Sequence, residues 1–182
     1  MWMDQPPLTL CVSSSLLSVH IAKVWKHPGP VLDITAIESG LFTDRQMIAT
    51  GLGEFPVIFG WCFIDGVSKG KNFRFGNTHL NGDDTGALNT AQAQEFLDMV
   101  VSTTELPTIV VGDMESNPDA INYGFDDPSE TYNLMTENLN DAWEGDGGYT
   151  FATNEKLTEA DFYKRIDYIF YNTKVSEMSI QT

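Results

Sequence analysis

The sequence predicts a layered α/β domain, and three observations carry that expectation. Short runs rich in β-branched and aromatic residues recur through the first third of the chain. A stretch with apolar residues at spacings of three and four then interrupts them, the period of an amphipathic helix. After it comes the continuously apolar run Thr108-Ile-Val-Val111, the pattern of a strand covered on both faces. A chain of 182 residues, 42% hydrophobic and 12% aromatic, fits one domain over 1–182 and is too apolar for a disordered chain.

Taken in order, Val19-His-Ile-Ala-Lys-Val-Trp25 alternates as a strand should and closes on the turn His27-Pro-Gly-Pro30. Residues 46–50 and 57–64 read as strands. Gly66-Val-Ser-Lys-Gly70 reads as a hairpin loop, with 72–80 the strand returning from it. Ala87, Leu88, Ala91, Phe96, Leu97 and Val100 mark a helix over 87–101. A second short helix is expected over 129–137, since Pro128 and Ser129 suit a helix start. Residues 149–151 and 165–171 complete the strands.

Charge narrows the function. Ten Lys and Arg against 26 Asp and Glu leave a net charge of −16, which repels phosphate backbones and anionic lipid headgroups. A large basic nucleic-acid footprint is therefore excluded, and phosphate chemistry here needs a divalent cation. The bland alternative is a well-solvated acidic surface. No apolar run reaches the ~18 residues of a membrane span. Asp4 precedes the apolar segment 8–20 where a signal peptide wants positive charge, so no compartment is indicated. Cys11 and Cys62 are too few for a disulfide scaffold or a Cys-rich zinc module, though they could form one bridge.

Three polar spots lie at predicted strand ends. Asn77-Thr-His79 is the first; a histidine so placed is more often structural than functional. The second, Gly112-Asp-Met-Glu-Ser-Asn-Pro118, directly follows the apolar run, and carboxyl ends of strands in open α/β sheets face the ligand crevice. Asp113 and Glu115 sit two apart, so an extended chain puts both carboxylates on one face, where they repel unless a cation or a proton intervenes. An ordinary Asp/Asn/Pro turn is the plain reading of the same residues. The third is Arg165-Ile-Asp-Tyr-Ile-Phe-Tyr171, where strand alternation puts Arg165, Asp167 and Ile169 on one face. The G-x-S-x-G string at 66–70 lies between two strands rather than before a helix, so it is no nucleophile elbow.

In this order, Asn77-Thr-His-Leu80, Gly112-Asp-Met-Glu-Ser-Asn-Pro118 and Arg165-Ile-Asp-Tyr-Ile-Phe170 resemble the endonuclease/exonuclease/phosphatase (DNase I-like) superfamily. The resemblance is clearest over 45–175. Asn89-Thr-Ala-Gln92 keeps the Gln of that family's R-x-x-Q helix pattern and loses the Arg, and Gly148-Tyr-Thr-Phe151 is similar to the sphingomyelinase-like branch. It implies a four-layer α/β sandwich, incomplete at both ends, and Mg²⁺- or Mn²⁺-dependent hydrolysis of phosphate esters. It further implies that His79 contacts the scissile phosphate and helps protonate the leaving group. Asp113 would orient or activate water, and Asp167 would orient a catalytic histidine. The pattern departs from the family in four places. Glu115 stands where an Asn is expected, and the first Asn-bearing strand is not recognisable. The metal-binding Glu of a Q-E pair has only Glu38, in Ile37-Glu-Ser39, as a stand-in, and no S-D-H motif follows 167. The alternative is thus a non-catalytic fragment or degenerate relative that keeps the fold. An incomplete sandwich would also leave sheet edges open to self-association.

Overall fold

The computed structural model describes residues 32–82, 86–118, 129–145, 148–152 and 162–177. The strand expected over 19–25, its closing turn and Cys11 lie outside the described residues. The frame is a six-stranded mixed sheet in the order β1-β4-β5-β6-β10-β7, built from Leu32–Leu41, Gly60–Ser68, Lys71–His79, Thr108–Asp113, Asp167–Tyr171 and Asn140–Asp141. Two two-stranded antiparallel sheets accompany it: β2 (Met47–Thr50) with β3 (Gly53–Pro56), and β8 (Phe151–Ala152) with β9 (Phe162–Lys164). No helix among the described residues is long and apolar enough to cross a membrane.

β4 and β5 form a hairpin whose turn is tighter than the sequence suggests. Lys69 and Gly70 have φ of 51° and 77°, the paired positive values of a two-residue turn that matches strand twist. Gly66, Val67 and Ser68 therefore stay inside β4. β1 has no counterpart in the sequence reading, because Asp33, Glu38 and Gly40 break its alternation. It forms by pairing along the whole of β4, which supplies the context that local propensity lacks.

β5 and β6 run parallel, joined by helix α1 (Ala87–Phe96), which continues as a π-helical turn over Leu97–Val101. Helix α2 (Ser129–Asn138) lies between β6 and β7. Both helices cover one face of the sheet. A Cβ on Gly76 would come 2.8 Å from Val100 and 3.4 Å from Phe96, so β5 can pass beneath the helix only with glycine there. Tyr132 of α2 packs on Tyr168 and Phe170 of β10. Phe63, Phe96, Leu97, Val100, Val110 and Phe170 fill this layer.

Two expectations change. The run 108–111 is not covered on both faces: Thr108 and Val110 are buried beneath the helices, whereas Ile109 and Val111, on the other face, are half-exposed. In α1, Ala87 and Ala91 are exposed, and the buried stripe is Asn89, Gln92, Ala93 and Phe96. The two amides turn inward because backbone groups of neighbouring loops wait there as partners, which offsets their desolvation.

Candidate active site at the ends of three strands

The site follows from strand register. Because β5 and β6 are parallel, their last residues, His79 and Asp113, are partners. Because β10 is antiparallel to β6, its first residue, Asp167, pairs with the same Asp113. Cross-strand partners share a face and lie about 5 Å apart at Cβ, so histidine and both aspartates form one row across three strands. That row projects from the face opposite the helices, three residues along each strand from Gly76, Val110 and Phe170. Gly112 lets the row close up: a Cβ there would sit 2.1 Å from the Thr78 carbonyl oxygen of the neighbouring strand.

The His79 ring is held on two sides. It stacks on Phe59 with centroids 4.3 Å apart, and Nδ1 lies 2.9 Å from the Leu80 carbonyl oxygen. A carbonyl only accepts, so Nδ1 carries the proton and Nε2 is left facing Asp113 Oδ2 at 3.8 Å. Past β6 the chain enters the left-handed region at Glu115, φ 46°, costly for a residue with a side chain. The Glu115 N–H donates to Asp113 Oδ1 at 2.9 Å, an Asx turn that brings the second carboxylate back over the first. The Glu115 carboxylate lies above Gly82, where a Cβ would come 3.3 Å from Oε2.

Electrostatics mark Asp113 as the perturbed group. Burial, then repulsion from Glu115, pushes its pKa up to about 6, against the lowering pull of the Glu115 N–H and His79. Ligand atoms of His79, Asp113 and Glu115 all lie within 4.8 Å of one another. One imidazole nitrogen and two carboxylates are suitable donors for a divalent cation, whose charge would relieve the repulsion burdening Asp113. The donor set therefore fits the ion that the resemblance implies.

The other sequence candidates separate from this cluster. Glu38 is exposed on β1, the edge strand of the sheet among the described residues. It pairs with Phe63, in the row that runs through Gly76 and Val110, with β4 and β5 between it and β6. It thus lies on the opposite face and three residues short of the site row. Arg165 does not share the Asp167 face either. It precedes β10 and turns to the helix side, where Nη2 meets Asp141 Oδ2 at 2.7 Å and the guanidinium lies 4.5 Å from the Tyr168 ring. Strand alternation fails there because the strand begins only at Asp167.

Several supporting residues lie in the motif strings, but nothing in the sequence assigned them a role at the site. Thr150 accepts the N–H groups of Ile166 and Asp167 on its hydroxyl, both at 3.1 Å, and so sets the start of β10. Tyr168 donates to the Ser116 carbonyl at 2.6 Å, tying β10 to the loop after Glu115. Beneath the row, Asn89 Nδ2 donates to the carbonyls of Asn81 (3.0 Å) and Met114 (2.8 Å). Gln92 accepts from Asn81 N–H and donates to Asn81 Oδ1 and the Asp44 carbonyl, each at 2.8 Å. The sequence marked these two positions through the family-like Asn89-Thr-Ala-Gln92 pattern, but not that both side chains turn inward.

Neither a family model nor a curated protein matches the sequence. Solved structures do match in fold. An endonuclease/exonuclease/phosphatase from Bacteroides vulgatus superimposes with a TM-score of 0.55 at 15% identity, over 78% of this chain and 55% of that one. D. rerio TDP2 complexed with single strand DNA product gives 0.52 at 17% identity, over 78% and 53%. An endonuclease/exonuclease/phosphatase family protein from Leptotrichia buccalis gives 0.51 at 19%, over 78% and 51%. The chain therefore has the DNase I-like α/β fold and spans about half the length of these structures.

Proposed function

We propose that this single domain is a divalent-cation-dependent hydrolase of phosphate esters, acting through His79, Asp113, Glu115 and Asp167. One observation carries the reading: parallel β5–β6 and antiparallel β6–β10 pairing bring His79, Asp113 and Asp167 into one row. The fold shared with endonuclease/exonuclease/phosphatase structures supports it. Asp113 and Glu115 would hold a Mg²⁺ or Mn²⁺ ion, leaving His79 Nε2 to the phosphate. When bound, that ion neutralises charge on the phosphate and on the carboxylate pair.

The residues divide the remaining work. Asp113 orients the attacking water and accepts its proton. His79, its Nδ1–H held by Leu80, presents Nε2 to the phosphate. When doubly protonated, the ring can pair with Asp113 and deliver a proton to the leaving oxygen. Asp167 places a third carboxylate beside Asp113, orienting the water from the far side of the row. A generic bis-nitrophenyl phosphate assay with Mg²⁺ or Mn²⁺ tests this, alongside a single-stranded oligonucleotide chosen because the D. rerio TDP2 structure holds such a product. EDTA-sensitive turnover is expected.

A second reading, a non-catalytic domain retaining the fold, is favoured by a specific observation. His79 is the only histidine among the described residues, so none stands beside Asp167 there. Measurable Mn²⁺ binding without turnover would support it. We further infer self-association through the edge of β1 that no strand among the described residues pairs; a clean monomer by light scattering would refute that.

A further inference from the structure

We propose that Asn89 is a positioning residue: its side-chain amide sets the distance between the loop that follows His79 and the loop that carries Asp113 and Glu115. The inference rests on the ion site proposed above and adds what holds that site in shape. Asn89 is fully buried in α1, a helix whose own hydrogen bonds do not need the side chain. Its Nδ2 has two hydrogens, and the structure gives each an acceptor: the Asn81 carbonyl, two residues after His79, and the Met114 carbonyl, between Asp113 and Glu115. One planar amino group thus spans both strand-end loops and keeps them a fixed distance apart.

The partners at each end are themselves fixed. Gln92, one turn along α1, grips Asn81 by both its backbone N–H and its side-chain carbonyl. Asn81 follows Leu80, whose N–H donates to the Asp113 carbonyl at 3.0 Å and whose own carbonyl orients His79 Nδ1. Met114 N–H donates to the Ile166 carbonyl at 2.7 Å, anchoring the other loop to the start of β10. Movement of Asn81 is therefore passed to the imidazole through Leu80, and movement of Met114 to the Glu115 carboxylate through one peptide. A cation held by Asp113 and Glu115 beside the His79 ring tolerates little change in that separation, and partners outside the ligands commonly govern affinity.

The experiment uses the whole chain and compares Asn89→Ala with Asn172→Ala. Asn172 bridges Thr108 N–H and the Leu106 carbonyl at the opposite end of β6, so its loss removes a similar pair of bonds far from the site. Mn²⁺ titration by calorimetry and the ring-nitrogen NMR shifts of His79 are read at matched folded fraction. Asn89→Ala is expected to weaken Mn²⁺ binding about tenfold or more and to move the His79 resonances, with Asn172→Ala within about twofold and its resonances unmoved. Equal changes in both variants, or none in Asn89→Ala, would overturn the proposal. A parent chain that binds no Mn²⁺ sinks the ion site instead, and the His79 resonances then decide the positioning role alone. Should Asn89→Ala fail to fold, Gln92→Met, which releases Asn81, is read against the same criteria.

Discussion

The two faces of the one sheet are used in opposite ways. On the helix-covered face, Phe63, Val110 and Phe170 stand in register with Gly76 and disappear beneath α1, its π turn and α2. On the other face, one residue along each strand, Ile37 and Ile169 are 45% and 55% exposed, and Asp167 ends the same row pattern in solvent. The same backbone thus presents the packed core on one side and the polar row on the other. The polar row sits where carboxylates and an imidazole keep contact with water, which a fully covered strand end would deny them.

The sharpest way to break this comparison is Phe170→Ala. Its ring is fully buried between Tyr132 and Tyr168, so the truncation should cost about 3–5 kcal/mol in denaturant unfolding. A loss as small as that of an exposed residue would show that the helix layer is not the core. Gly76→Ala comes next. The added methyl meets Val100 at 2.8 Å, and overpacking of that kind costs about 1–3 kcal/mol by the same measurement.

On the site side, the prediction is one of direction. In the ion-free chain, folded Asp113 keeps its proton up to about pH 6, whereas the unfolded chain releases it near 3.8. Between those values the folded state binds more protons, so this group makes stability fall as pH rises from about 4 to about 6. Asp113→Asn should flatten that part of the stability profile and abolish Mn²⁺ binding in the same titration. An unchanged slope would show that burial and the neighbouring Glu115 do not hold the proton on Asp113. Ile169→Thr should have the smallest effect, about 0.5 kcal/mol or less, since the side chain is already half in water. A large loss there would mean that the open face is covered in solution.

The local elements were largely legible. The helix over 87–101 and that at 129–138 were readable from period and cap, and His79, Asp113 and Asp167 from three short strings at strand ends. β1 was not, because its polar and glycine interruptions are tolerated only once β4 lies beside it. Nor was the inward turn of Asn89 and Gln92, since an amide is a core residue only where its partners are already fixed. Arg165 looked like a neighbour of Asp167 by alternation, yet the chain is not a strand at 165–166, so it turns to Asp141 instead.

By itself the sequence determined which residues prefer strand, helix and turn, and that the chain carries a net charge of −16. Propensity, period and net charge are local or additive properties, so they survive without coordinates. Tertiary structure alone decided that residues 79, 113 and 167 meet, that Glu38 lies on the opposite face, and that Glu115 curls back over Asp113. Register and strand direction are choices between distant segments, made by which side chains can be buried together.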